Sequence, residues 1–122
     1  MSHSILIVDD SPLIRRLLRC YIEQDAEWKV CGEAENGAIA VESIRRFNPD
    51  VVILDWQMPV MNGLDAARII AHIAPKTLIV MFTMHCGEQF IQEAQKAGIN
   101  HVLSKADTKN LFALLKTMAV PG

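Results

Sequence analysis

Five short apolar runs recur along the chain, each followed by a stretch with apolar residues at helical spacing. The first, Ile5-Leu6-Ile7-Val8, is continuous and rich in β-branched residues, the pattern of a strand covered on both faces. It ends at Asp9-Asp10. Ser11 supplies an N-cap and Pro12 a preorganised first helical residue. Leu13, Ile14, Leu17, Leu18, Tyr21 and Ile22 then predict a helix to about Gln24, with Arg15, Arg16 and Arg19 opposite its apolar stripe. Residues 29–33 predict a second strand, and Asn36-Gly37 opens a helix carrying Ala40, Val41, Ile44 and Phe47 until Asn48-Pro49 stops it. Val51-Val52-Ile53-Leu54 is the most apolar strand candidate, and it ends on Asp55. Met58-Pro59 and Asn62-Gly63 form a loop ahead of a helix carrying Leu64, Ala67, Ile69, Ile70 and Ile73. Residues 78–83 predict a fourth strand, 88–97 a helix closed by Gly98, 99–103 a fifth strand, and Asp107 caps a last helix to about Met118.

Strand and helix thus alternate five times, a (βα)₅ order that requires right-handed crossovers and a parallel sheet with helices on both faces. The 122 residues are read as one domain, 1–122, without internal repeat, linker or low-complexity tract. A chain of this mass should bury roughly two-thirds of its extended surface without disulfides or structural metal. Hydrophobic residues at 51% and charged ones at 21% exclude a disordered chain.

A net charge of -2, with no long basic run, gives no nucleic-acid footprint, so DNA binding by this chain alone is not expected. Cys20, Cys31 and Cys86 are odd in number and form no C-x-x-C pair, which suits unpaired thiols in a reducing compartment. The apolar runs are far shorter than the roughly 20 residues of a membrane span, and no basic leader precedes Asp9-Asp10. A cytoplasmic protein without membrane contact is expected.

In open α/β sheets ligands bind outside the carboxyl ends of the strands, near the switch in strand order. Polar groups occupy four of those ends: Asp9-Asp10, Asp55, Thr83, and Ser104 leading into Lys105. A single acid at a strand end is more often a cap or a turn former. Three carboxylates gathered at one place repel one another and call for a hard divalent cation, with Mg²⁺ the natural choice. A lysine and a hydroxyl beside them suit phosphoryl oxygens, and Asp55, at the end of the most buried strand, is best placed to be the nucleophile.

The pieces Ile5-Leu6-Ile7-Val8-Asp9-Asp10-Ser11, Asp55 continuing as Trp56-Gln57-Met58-Pro59-Val60-Met61-Asn62-Gly63, Thr83, and Ala97-Gly98 followed by Lys105 resemble the receiver domain of two-component response regulators. The likeness runs over essentially the whole length. Ser104-Lys105-Ala106-Asp107, with no proline after the lysine, together with 28–37, is most similar to receivers that carry a helix-turn-helix output domain. The resemblance implies a flavodoxin-like sheet in order 2-1-3-4-5. It implies that Asp55 accepts a phosphoryl group from a sensor histidine kinase or phosphotransfer protein. Asp10, Asp55 and the backbone carbonyl of Gln57 would ligate Mg²⁺ directly, and Asp9 through a water. Lys105 would pair with one phosphoryl oxygen and Thr83 with another. Such a chain would be a phosphoacceptor and no enzyme beyond its own phosphorylation and dephosphorylation. An output domain or partner on the strand 4–5 face, a homodimer, and kinase docking near the first helix are all compatible with it.

Two departures stand out. Val102 occupies the position of an aromatic that swings inward in many receivers, and Met84 follows Thr83 where a small residue is usual, which should narrow access to Asp55. His3, His72, His85 and His101 lack metal-ligand spacing, and Cys86 has no nameable catalytic partner. Trp56 should border the pocket. An aspartyl-phosphate-type hydrolase is the alternative, weakened because such enzymes place a second acid two residues downstream, where Gln57 stands. A flavin carrier is weaker still, since no glycine-rich phosphate loop follows the first strand and Asp9-Asp10 would repel the flavin phosphate.

Overall fold

The computed structural model describes residues 3–84 and 87–119. Strands β1 (His3–Val8), β2 (Trp28–Ala34), β3 (Val51–Leu54), β4 (Leu78–Thr83) and β5 (His101–Ser104) alternate with helices α1 (Pro12–Ile22), α2 (Gly37–Phe47), α3 (Gly63–Ile73), α4 (Glu88–Lys96) and α5 (Thr108–Ala119). The strands form one sheet in the order β2-β1-β3-β4-β5, all parallel. Sequence expectation and structure agree on class, order and element count.

The sheet is buried on both sides because alternate residues of each continuous apolar run point to opposite faces. Leu6, Val8, Val52, Leu54, Ile79 and Met81 pack with Ala40 and Ile44 of α2, Ala67 and Ile70 of α3, and Ala94 of α4. Ile5, Ile7, Val51, Ile53, Val80 and Phe82 pack on the other face with Leu18 and Ile22 of α1 and Leu111 and Leu115 of α5. Three helices begin on side-chain caps: Ser11, Asn36 and Asn62 accept from the backbone N–H three residues on. Asn48 ends α2 in the left-handed region, which asparagine tolerates, just ahead of Pro49.

Two local expectations are corrected. β5 begins at His101 and includes Ser104, not 99–103. The Ile99 N–H is spent on the Ala94 carbonyl at the end of α4, and Asn100 meets Ile79 with both its backbone N–H and its side-chain carbonyl. The second correction concerns α1, which buries Leu18 and Ile22, whereas Leu13, Leu17 and Tyr21 are 73%, 44% and 51% exposed. Arg15 and Arg19 turn toward β2 instead of solvent, and both pair with Glu33, at 3.0 and 2.8 Å. No helix among the described residues is long and apolar enough to cross a membrane.

Candidate functional site

β1 and β3 are neighbours in the sheet, and from their carboxyl ends the chain departs toward opposite faces, to α1 and to α3. The crevice that opens there is the switch point of a doubly wound sheet. Asp9 and Asp10 follow β1 and Asp55 follows β3, and one carboxylate oxygen from each lies within 4.8 Å of the others. Asp9 and Asp55 are only 2% and 7% exposed, whereas Asp10 faces solvent. Backbone bonds fix the two buried acids: the Asp9 N–H donates to the Ala34 carbonyl and the Asp55 N–H to the Val8 carbonyl.

Lys105 enters from β5. Its backbone N–H donates to the Thr83 carbonyl at 2.9 Å, and its ammonium reaches Asp9 Oδ2 at 2.7 Å and Asp55 Oδ2 at 3.0 Å. The remaining oxygens accept backbone N–H groups, Asp9 Oδ1 from Ser11 and Asp55 Oδ1 from Trp56. Burial outweighs these bonds for Asp9 and raises its pKa above the usual carboxylate value. For Lys105 burial acts the other way, yet the bonds to Asp9 and Asp55 prevail and hold the ammonium above its ordinary pKa. Thr83, the last residue of β4, is buried beside this cluster, and Gln57 is exposed in the loop two residues after Asp55.

That loop is shaped by close approach. The Gly63 N–H donates to the Trp56 carbonyl, and a Cβ at Gly63 would lie 1.9 Å from the Asp55 carbonyl oxygen, so only glycine lets α3 begin here. Val60 sits at φ 69° with its side chain in solvent, a backbone region that a β-branched residue adopts at a cost. Val60→Gly is therefore expected to raise the unfolding free energy by about 1 kcal/mol, the released strain less the added chain entropy, in urea titrations.

Sequence reasoning named every charged group in this cluster, and Trp56 does border it, its ring 4.6 Å from that of Phe90 on α4. Met84, next after Thr83, is 69% exposed. His85 and Cys86 lie outside the described residues. Arg15 was missed: its guanidinium donates to the Asp9 carbonyl at 2.6 Å, tying α1 to the end of β1. Gly63 was read only as a turn former. Val102 faces the core between β4 and the helices.

A family model for the response regulator receiver domain matches residues 5–116. The chemotaxis protein CheY of Thermotoga maritima is 38% identical over 105 residues, 86% of this chain and 87% of that protein. A protein-glutamate methylesterase/protein-glutamine glutaminase of Pyrococcus abyssi is 40% identical over 100 residues, 80% of this chain but 27% of its own length. The chain thus spans about a quarter of the length of that relative. Among solved structures, a LuxR-family two-component response regulator from an Aurantimonas species superposes with a TM-score of 0.90 at 30% identity, covering 98% of this chain and 86% of that one. The response regulator domain of Thermotoga maritima CheB superposes at 0.87 and 28% identity over the full length of both. With the family model matched over residues 5–116 and the sheet in the order β2-β1-β3-β4-β5, the chain belongs to the response regulator receiver domain family.

Proposed function

We propose that this receiver domain, residues 1–122, is a Mg²⁺-dependent phosphoacceptor in which Asp55 takes a phosphoryl group from a sensor histidine kinase or phosphotransfer protein in the cytoplasm. The observation that carries the reading is the pairing of one ammonium with two buried carboxylates while a third, Asp10, stays open to solvent. Lys105 pairs with two carboxylates but offsets only one of the three negative charges, and what remains is a site of hard oxygen donors with a surplus of negative charge, the donor set Mg²⁺ prefers. Asp10, Asp55 and the Gln57 carbonyl would hold the ion, with Asp9 behind a water, and the ion would neutralise the charge that builds on the phosphoryl oxygens.

The chain's own groups supply the rest. A carboxylate oxygen of Asp55 attacks the phosphorus of a phosphohistidine, the new P–O bond forms as the P–N bond breaks, and the electron pair leaves on the imidazole nitrogen, which takes a proton. Lys105, which holds the Asp55 carboxylate at 3.0 Å, would pass to a phosphoryl oxygen, and the Thr83 hydroxyl would donate to another. The hydrolase alternative lacks its second acid, because Gln57 stands exposed at that position. The esterase activity named for some relatives belongs to proteins about four times as long as the matched segment. Incubation with acetyl phosphate should add one phosphoryl group in intact-mass spectra with Mg²⁺ and none with EDTA; no adduct under either condition overturns the reading.

Asp10→Ala should stabilise the metal-free protein by about 1 kcal/mol, the screened repulsion of one exposed carboxylate from its neighbours. The same variant should lose Mg²⁺ binding, read as loss of the Trp56 fluorescence response that the wild type gives on titration. A wild type silent to Mg²⁺ in both fluorescence and calorimetry would count against the metal assignment.

A further inference from the structure

Asp10 is the exposed member of the acid cluster, so its carboxylate takes its place from the backbone that carries it. That backbone is held at Asp9. The Asp9 N–H donates to the Ala34 carbonyl at 3.1 Å, Oδ1 accepts the Ser11 N–H at 2.9 Å, and Oδ2 accepts from the Lys105 ammonium at 2.7 Å. The carbonyl of the peptide that leads into Asp10 accepts a guanidinium N–H of Arg15 at 2.6 Å. Because a peptide unit is planar, holding its oxygen also fixes the plane from which Asp10 departs.

Arg15 is itself held. Its Nε donates to Glu33 Oε1 at 3.0 Å, its backbone N–H donates to the Ser11 carbonyl, and only 16% of its side chain is exposed. Glu33 precedes Ala34, whose carbonyl holds the Asp9 N–H, so adjacent residues of β2 grip Asp9 at both ends, one directly and one through Arg15. Arg19, one turn further along α1, pairs with the same Glu33 at 2.8 Å and with Glu23 at 3.4 Å. The two arginines carry the same charge and share one acid, but the bond to the Asp9 carbonyl belongs to Arg15.

We propose that Arg15 is a positioning residue for the metal site: by holding the Asp9 carbonyl it sets the Asp9–Asp10 peptide plane and so aims Asp10 at the cation. The inference rests on the reading of Asp10 as a Mg²⁺ ligand. Charge and position predict opposite results for its removal. A guanidinium beside three acids repels an incoming cation, so deletion of its charge should by itself tighten Mg²⁺ binding. Loss of a bond that orients a ligand should weaken binding, by about tenfold.

Calorimetric titration of the whole chain with Mg²⁺, followed in parallel by Trp56 fluorescence, separates the two. Arg15→Met should bind Mg²⁺ about tenfold more weakly than the wild type. Arg19→Met, with the same loss of charge and of a Glu33 partner, should bind at least as tightly as the wild type. Arg15→Gln, whose amide stops short of the Asp9 carbonyl, should repeat the loss and carries the test if the apolar replacement does not fold. At saturating Mg²⁺, phosphoryl uptake from acetyl phosphate by the Arg15 variants should return to the wild-type rate, since Arg15 orients a ligand and touches no reacting atom. Equal weakening by Arg15→Met and Arg19→Met, the mark of a merely structural role, overturns the proposal, as does uptake that stays slow at saturating Mg²⁺. A wild type that binds no Mg²⁺ removes the reading of the site and the proposal with it. A wild type that binds while the Arg15 variants bind as well or better overturns the proposal alone.

Discussion

Asp55→Asn is expected to fold as the wild type does and to take up no phosphoryl group. The amide oxygen can still accept the Trp56 N–H that Asp55 Oδ1 accepts at 2.8 Å, and Lys105 keeps its contact with Asp9 at 2.7 Å, so the frame of the site survives. What is lost is the charged oxygen that attacks phosphorus, and an amide has no comparable nucleophilicity. Removing one of three mutually repelling acids should, if anything, raise the melting temperature slightly. Intact-mass spectra after acetyl phosphate and Mg²⁺ should show one adduct on the wild type and none on the variant. Undiminished labelling of Asp55→Asn would move the acceptor to another residue and sink the assignment.

Lys105→Met should give the largest loss of stability. The substitution keeps the aliphatic stem and deletes the charge, leaving Asp9 and Asp55 buried and facing each other without a cation. Breaking a buried ion pair from one side costs about 3 kcal/mol in metal-free protein. The pH dependence has a definite sign. The pKa of Lys105 is raised on folding from 10.5, so its contribution is complete below that value and is lost as pH rises through the folded one. Asp9, whose pKa is raised by burial, gives up its charge more readily in the folded state on acidification. The gap between wild type and Lys105→Met should therefore be widest near neutrality and close at both extremes. The ammonium also competes with a cation for the same two carboxylates, so the variant should bind Mg²⁺ about tenfold more tightly while accepting phosphate poorly. Equal urea midpoints for the two proteins at pH 7 would refute the account of the charge balance.

The sheet was legible because its strands are covered on both sides: runs such as Ile5-Leu6-Ile7-Val8 and Val51–Leu54 have no polar alternation to mislead, and their ends are marked by acids. The site was legible for the same reason, since the groups that matter stand at strand ends and converge once the strand order is known. What hydrophobic spacing could not settle was the orientation of α1. Leu13 and Leu17 form one stripe and Leu18 and Ile22 another, and both satisfy a helical repeat. The choice is made outside the helix, by Glu33 on β2 and the Asp9 carbonyl, which draw Arg15 and Arg19 inward and rotate the first stripe into solvent. The start of β5 was obscured because Asn100 uses a side-chain carbonyl to bond Ile79, a substitution invisible to any pattern of apolar positions. Gly63 looked like an ordinary turn glycine, since the carbonyl it must clear belongs to Asp55, eight positions away.

The clustering of Asp9, Asp10, Asp55 and Lys105 also decides where the protein's field points. The chain has fourteen acidic and twelve basic residues. Setting aside the three acids and the lysine of the cluster leaves eleven of each, so the whole surplus of -2 resides at the carboxyl end of the sheet. Around an otherwise balanced body such a focus draws in divalent cations and turns away anionic phosphodonors. In the proposed reaction encounter would thereby be ordered: the cation is captured first, its two positive charges cancel the local surplus, and the phosphodonor approaches a site that no longer repels it. The capture rate should fall steeply with ionic strength, since added salt shortens the reach of the field to about 8 Å at physiological concentrations.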